Sequence, residues 1–434
     1  MARYTLMSKD REVLDFEYDA EIHAVLRIIE RKDVGFAPPA LIDPQGTITR
    51  RNLNDWWASR AIPVSRQQFQ SLRDQLGVAD TRELTERSRA LSLTDRYWVR
   101  EEGDDASWAD VNFFDNGFDE ELGLVTLGQD STIRPSFCSP NASLAGDLRK
   151  KWTMRGGRVV LMKAASGAFG QEPYNEVAAT ALMRRILDPG EYVEYGLVEE
   201  AGRTYSACES MVTGNLELIP AADLLRSAPG LKNTTGMRRL TDTLGRFGVP
   251  DPGHALSKML AVDYLLGNFD RHYNNFGILR DSDDHSIARF APIYDTGSSL
   301  WMDQIRLEAP VDWENQVRPF DGENLRPGDL LRRLPNLSWL DPAKLDGFDA
   351  ELAGILARNP LMPPARIEAI AGEVSRRMAT LSAQAGGGGR RIVSLTRNPA
   401  ERSPEPPGAS RPAAAARSHV PAPREPGGSR PPSR

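Results

Sequence analysis

Apolar and polar positions alternate along residues 4–18 and break at Ser8-Lys9-Asp10-Arg11, a pattern that predicts a β-hairpin. From 52 to 100 the apolar spacing takes a helical rhythm. Trp56, Trp57, Ile62, Phe69, Leu72, Leu76, Leu84 and Leu91 are the candidate core positions there. Residues 101–128 are acidic and aromatic and include Asn112-Phe113-Phe114-Asp115-Asn116-Gly117-Phe118. A solid apolar run, Arg158-Val159-Val160-Leu161-Met162-Lys163, predicts a buried strand. After a small-residue loop, Ala164 to Gly170, a helix is expected from about Pro173 to Asp188, since proline suits a first turn. Tyr192–Val198 and Thr204–Val212 read as further strands, and 221–250, 254–268 and 345–382 as helices. Asp251-Pro252 supplies an N-cap and first-turn pair ahead of the apolar face formed by Leu256, Met259, Leu260, Val262, Leu265 and Leu266. Trp301 and Trp313 fall between the last two helical stretches.

Composition narrows the classes. With 434 residues there is ample chain for two or three domains. No apolar run reaches the roughly 18 residues of a membrane span, and Met1 to Asp10 has no signal-peptide core, so a cytoplasmic protein is expected. Two cysteines, Cys138 and Cys208, and five scattered histidines give no disulfide framework and no zinc spacing. The net charge of -6 is uneven: residues 385–434 hold nine arginines and three acids, a local +6, leaving the remainder near -12. The body therefore lacks the basic signature of a nucleic-acid binder. The tail, opened by Gly386–Gly389, has too few apolar residues to offset its ordering entropy, and disorder is expected there. Only eight of the 54 basic residues are lysines, which makes Lys163, at the end of an apolar strand, stand out.

The candidate chemistry gathers around Asn268-Phe269-Asp270-Arg271-His272-Tyr273-Asn274-Asn275. Phe276 to Leu279 leaves this run as a strand, Asp281-Ser282-Asp283-Asp284 makes a turn, and Ile287 to Ile293 returns to Tyr294-Asp295. Such a hairpin folds Asp295 back beside Asp270 and Asn275. Two carboxylates and an amide oxygen suit magnesium-dependent phosphoryl transfer: one acid near the attacking hydroxyl, and hard oxygen ligands for the metal on the nucleotide phosphates.

These motifs, Asn-x-Asp-Arg-His-x-x-Asn-Phe-Gly followed by Ala-Pro-Ile-Tyr-Asp, resemble the HipA family of bacterial serine/threonine kinases over roughly 139–330. The resemblance implies an α+β, two-lobed protein-kinase-like fold. Its expected divisions are an appended N-terminal α+β domain (1–130) of unassigned role, an N-lobe (131–220), a mostly helical C-lobe (221–384) and the disordered Arg/Pro/Gly-rich tail (385–434). It implies Asp270 as catalytic base, Asn275 and Asp295 as ligands of Mg2+, and His272 as a donor that holds the loop. Arg271 is expected to pair with a phosphate or a nearby acid. Lys163 resembles the strand lysine that holds the phosphates of ATP, with Glu176 as its helix partner. Gly146 lies in the stretch matching the loop over the phosphates, where Ser143 is a candidate phosphorylation site. Glu209, in Cys208-Glu209-Ser210-Met211, lies at the expected hinge, where backbone groups read adenine. Asn274 stands where HipA toxins commonly carry lysine, and the Asp-Arg-His-x-x-Asn form is also similar to phosphatidylinositol 3- and 4-kinases. The acceptor therefore stays open between a protein hydroxyl and a lipid or small-molecule hydroxyl, with a pseudokinase binding module as a third alternative. HipA-like toxins work beside a DNA-binding antitoxin, so a partner of that kind is a further expectation.

Overall fold

The computed structural model describes residues 1–63, 74, 77–78, 80–129, 136, 138–144, 148–228, 236–286, 288–307, 325–334 and 336–386. The alternation at the N-terminus forms β1 (Ala2–Ser8) and β2 (Arg11–Asp19), antiparallel with Ser8 opposite Arg11. β3 (Ala24–Arg31) continues the meander, and α1 (Arg50–Ser59) and α2 (Arg82–Arg87) follow. The expectation of a largely helical 52–100 fails at its end. Tyr97–Glu101 is a strand, β4, that pairs with β1 and completes a sheet of order β3-β2-β1-β4. Tyr97, Trp98 and Val99 are all buried, and a strand covered on both faces shows no alternation to read. Trp56, Trp57, Ile62, Leu84 and Leu91 are buried as expected, whereas Phe69, Leu72 and Leu76 lie outside the described residues.

A second antiparallel sheet carries the lysine strand. α3 (Glu121–Leu127) leads to β5 (Lys150–Arg155) and β6 (Arg158–Lys163), joined through Gly156-Gly157. α4 (Glu172–Ile186) crosses to β7 (Gly196–Glu200) and β8 (Arg203–Glu209), giving the order β5-β6-β8-β7. The strand expected from Tyr192 thus starts four residues later, and Tyr192 instead makes an isolated parallel bridge with Ile293. Met7, Trp98 and Phe113 share one apolar cluster with Leu144 and Trp152, so the N-terminal residues pack directly on β5. Contacts join residues 1–388 into one compact unit.

The third sheet pairs β9 (Leu216–Pro220) with β10 (Gly277–Asp281) and β10 with β11 (Ala288–Phe290). Ile278 faces Phe290, which is the hairpin expected after Asn275. A Cβ on Gly277 would lie 2.1 Å from the Ile219 carbonyl oxygen, so only glycine lets β10 approach β9 this closely.

Helices α5 (Ala221–Ser227), α6 (Gly236–Arg246) and α7 (Pro252–Leu266) fill the space around it. They are followed by α8 (Pro327–Arg333), α9 (Phe348–Leu356) and α10 (Pro364–Gly386). The helix expected across 345–382 is split, because Pro360, Pro363 and Pro364 cannot continue a helical ladder. α7 is buried continuously from Leu256 to Leu266, polar residues included. It packs against α4, α6, α8 and α10. Each leucine buried there contributes about 1.5–3 kcal/mol. Among the described residues no helix is long and apolar enough to cross a membrane. Trp313 and residues 387–434 of the tail lie outside the described residues.

Candidate active site

α7 ends at Gly267, whose left-handed φ of 62° caps the helix and turns the chain into residues 268–275. The run begins with a buried polar brace. Arg271 donates through Nε to Asp263 Oδ2 at 2.9 Å and through Nη2 to Asp263 Oδ1 at 3.0 Å. Asn268 Nδ2 also donates to Asp263 Oδ1, at 2.8 Å. The remaining guanidinium nitrogen, Nη1, donates to the carbonyl oxygens of Asn275 and Tyr294, each at 2.6 Å. Asp263 on α7 thus anchors Asn268 and Arg271, and Arg271 in turn ties the far end of the run to the segment that carries Asp295. Burial opposes the charge on Arg271, but Asp263 more than offsets it and raises its pKa. Of the two roles expected for Arg271, pairing with an acid is the one observed: the side chain is 1% exposed and turned inward.

Two more bonds join the run to the Asp295 segment. Phe269 N–H donates to Ser298 O at 3.1 Å, and Tyr294 Oη–H donates to Asn274 O at 3.0 Å. Within the run, Asp270 is half-buried, and its N–H donates to Asn268 Oδ1 at 3.1 Å. Asn275 is buried and uses Nδ2 to hold the Asp270 carbonyl at 2.9 Å, which commits the nitrogen end of its amide to the loop. His272 is exposed, and its Nδ1 accepts the N–H of Asn274 at 3.2 Å.

Lys163 supplies the opposite wall. Its Nζ, on a side chain 6% exposed, lies 2.8 Å from Glu176 Oε1 and 2.8 Å from Asp295 Oδ1. It also donates to Tyr195 Oη at 3.2 Å. The second oxygen of Glu176 accepts from Thr296 N–H at 3.0 Å and from its hydroxyl at 2.6 Å. Strand β6, helix α4 and the residues after β11 thus meet at one ammonium. Burial works against ionising this lysine, but Asp295 and Glu176 raise its pKa well above the ordinary value. Burial likewise works against the Asp295 carboxylate, yet Lys163, with Lys150 and Arg271 further off, holds its pKa well below the usual carboxylate range. Asp295 also has a φ of 59°, a conformation that costs a non-glycine residue energy.

Charge and donor chemistry decide whether a metal fits. One lysine between two carboxylates leaves a buried cluster with one negative charge in excess, and Asp295 is its most accessible member at 28% exposure. A hard divalent cation with oxygen ligands suits it, and Asp295 with the amide oxygen of Asn275 are the donors on hand. Among the described residues no group of three or more His, Cys, Asp and Glu forms a closed metal cage. The residues therefore fit an ion whose remaining ligands come from a bound phosphate or water.

Glu209 closes β8, and its exposed carboxylate pairs with Arg158, so the side chain takes no part in the Lys163 cluster. Gly146 lies outside the described residues. Ser143 donates to Leu91 O at 2.8 Å. Two cavities flank the segment that follows β8. One, of about 680 Å³, is lined by Val160, Tyr192, Cys208 and Met211, and none of Lys163, Asp270, Asn275 or Asp295 reaches it. The other, of about 530 Å³, is lined by Val159, Ser210 and Val212. Side chains alternate along a strand, so Val159 shares the face of β6 that carries Lys163, and Val160 does not.

The residues that sequence reasoning missed are Asp263, Tyr195 and Thr296. Asp263 had a signal: it is the one acid in Ala261-Val262-Asp263-Tyr264-Leu265-Leu266, and a fully buried acid is almost always paired. Tyr195 and Thr296 had none, because their roles depend on where distant chain segments meet.

No family model matches the chain. The serine/threonine-protein kinase CtkA of Helicobacter pylori is 33% identical over 104 residues, a match that spans 22% of this chain and 31% of that protein. The chain thus matches about a third of the length of this curated relative. Among solved structures, the H. pylori proinflammatory kinase CtkA aligns with a TM-score of 0.44 at 18% identity, covering 54% of this chain and 94% of that one. HipA of Shewanella oneidensis, solved with HipB and its operator DNA, aligns with a TM-score of 0.53 at 14% identity, covering 88% of this chain and 97% of that one. This chain is similar to HipA-like serine/threonine kinases, and with HipA the similarity is one of fold.

Proposed function

We propose that the protein is an ATP- and magnesium-dependent kinase that moves the γ-phosphoryl group of ATP to a serine or threonine hydroxyl of a protein. The observation that carries this reading is the buried Lys163 ammonium, 2.8 Å from both Glu176 and Asp295. Phosphoryl transfer needs little covalent help from the protein. It needs positioned charge, and three chain segments converge here to provide it. In this reading the β5–β8 sheet with α4 is the N-lobe, β9–β11 with the later helices is the C-lobe, and nucleotide lies between them.

Lys163 donates to phosphate oxygens and takes up part of the charge that spreads over them during transfer. Glu176, fixed by Thr296, keeps that lysine in place. Asp295 and Asn275 would hold the magnesium ion, whose chemistry when bound is to neutralise the phosphates. Asp270 accepts the proton of the acceptor hydroxyl as the new P–O bond forms and the bond to ADP breaks. Arg271 and Asp263 keep Asp270, Asn275 and Asp295 in register without touching substrate. A DNA-binding partner like the HipB solved with HipA is a separate question, to be put to a pull-down.

The test is incubation with γ-labelled ATP and magnesium, with and without Asp270→Asn. Label on protein serine or threonine, reduced by roughly 10²- to 10⁴-fold in the variant, is the expected outcome. Label confined to lipid or small molecules rejects the protein acceptor, and undiminished transfer by the variant rejects Asp270 as the base.

A further inference from the structure

The smaller cavity beside the segment that follows β8 has a wall that does not come from the kinase-like core. Trp108, Phe114 and Arg96 line it together with Val159, Ser210 and Val212. Phe114 is half-buried and touches two apolar clusters at once. One contains Trp152, with Val159 and Leu161 packed on it; the other contains Val212, Leu279 and Ala291. It therefore spans from the lysine-bearing sheet to the sheet beneath it. The ring is held firmly. The Arg96 guanidinium carbon lies 3.3 Å from its centroid, and Arg96 Nη2 in turn donates to Gly214 O at 2.5 Å. Asn112 Oδ1 accepts the N–H groups of Phe114 and Asp115 at 2.9 and 2.8 Å and sets the turn. Trp108 stands beside it, ring centroids 6.3 Å apart and tilted by 39°.

Position along β6 connects this cavity to the charged cluster. Val159 and Lys163 lie on one face, four residues apart, about 13 Å along the strand. A molecule reaching from one to the other carries a flat apolar group at the aromatic end and phosphates at the lysine end.

We infer that residues 108–118 form the front wall of a pocket for the purine base, with Phe114 and Trp108 as its aromatic surfaces and the backbone after β8 as its polar edge. This rests on the nucleotide-site reading proposed above and adds to it a role for the N-terminal residues. They complete the cleft and hold the base, rather than being merely attached to the core. Stacking on an aromatic ring tolerates either purine, so the contribution is to base affinity and not to phosphate affinity.

The test is calorimetric titration of the full chain, in magnesium, with ATP and with inorganic tripolyphosphate, which has no base. Wild type is expected to bind ATP more tightly. Phe114→Ala is expected to weaken ATP about tenfold, leave tripolyphosphate unchanged, and be rescued by Phe114→Trp. Should Phe114→Ala fail to fold, Phe114→Leu keeps the bulk, removes the ring and carries the same comparison. Equal losses for both ligands, or none for either, overturn the inference and leave the nucleotide-site reading standing. A wild type that binds tripolyphosphate as tightly as ATP also overturns it. Binding of neither ligand overturns both.

Discussion

Two buried ion clusters lie at the candidate site, and they are built on opposite plans. Asp263–Arg271 is neutral, and each guanidinium nitrogen has a hydrogen-bond partner inside the protein. Lys163–Glu176–Asp295 carries an excess negative charge, and Asp295 is 28% exposed. The first plan satisfies the conditions under which a buried pair holds its geometry. The second leaves charge that a cation can still neutralise. The contrast separates a group that maintains shape from a group arranged to bind.

The largest effect on stability is expected at the neutral pair. Asp263→Asn leaves the Arg271 guanidinium buried with one partner weakened, and a loss of about 3–5 kcal/mol in urea denaturation is expected. The double replacement Asp263→Leu with Arg271→Met is expected to recover part of that loss, because it removes the stranded charge. If the single variant costs less than the double, the brace assignment is wrong.

A smaller effect is expected at the charged cluster. Asp295→Asn removes one of the two acids that hold Lys163 while Glu176 remains, so the melting temperature is expected to fall, but by less than that of Asp263→Asn, even as transfer is lost. A melting temperature that falls as far as that of Asp263→Asn would erase the distinction between the two clusters. The Asp295 pKa is depressed in the fold, so its contribution is present above the ordinary carboxylate pKa and lost only as pH falls through its much lower folded value. The Lys163–Asp295 pair is thus expected to persist in mild acid.

The smallest effect belongs to His285, in the turn between β10 and β11. Burial, with Arg280 and Arg11 nearby, lowers its pKa to about 4 from 6.5. Between those values the unfolded chain binds a proton that the folded chain does not, so stability falls as pH is lowered from about 6.5 to about 4. His285→Gln is expected to flatten that slope in pH-dependent melting, and an unchanged slope would assign the effect elsewhere.

The same contrast explains what was legible in the sequence. The hairpin from Gly277 to Phe290 was legible, because alternation, an acidic turn and flanking motifs all pointed to it. Lys163 stood out as a lone lysine ending an apolar strand, and its pairing with Glu176, 2.8 Å away in the fold, was an expectation drawn from the family resemblance. β4 was not, since Tyr97-Trp98-Val99 is covered on both faces and shows no period. Nor was the function of α7: its apolar positions were plain, but the partner of Asp263 lies eight residues on, past the end of the helix. The meeting of Phe114 with the second sheet is a long-range contact that no local pattern announces.

The central claim is that the negative cluster is a magnesium–nucleotide site. Calorimetric titration of the full chain with ATP, with and without magnesium, tests it most directly. The account predicts that magnesium tightens ATP binding in the wild type and that Asp295→Asn abolishes this dependence without unfolding the protein. ATP binding indifferent to magnesium in the wild type, or a magnesium dependence that survives Asp295→Asn, would contradict it.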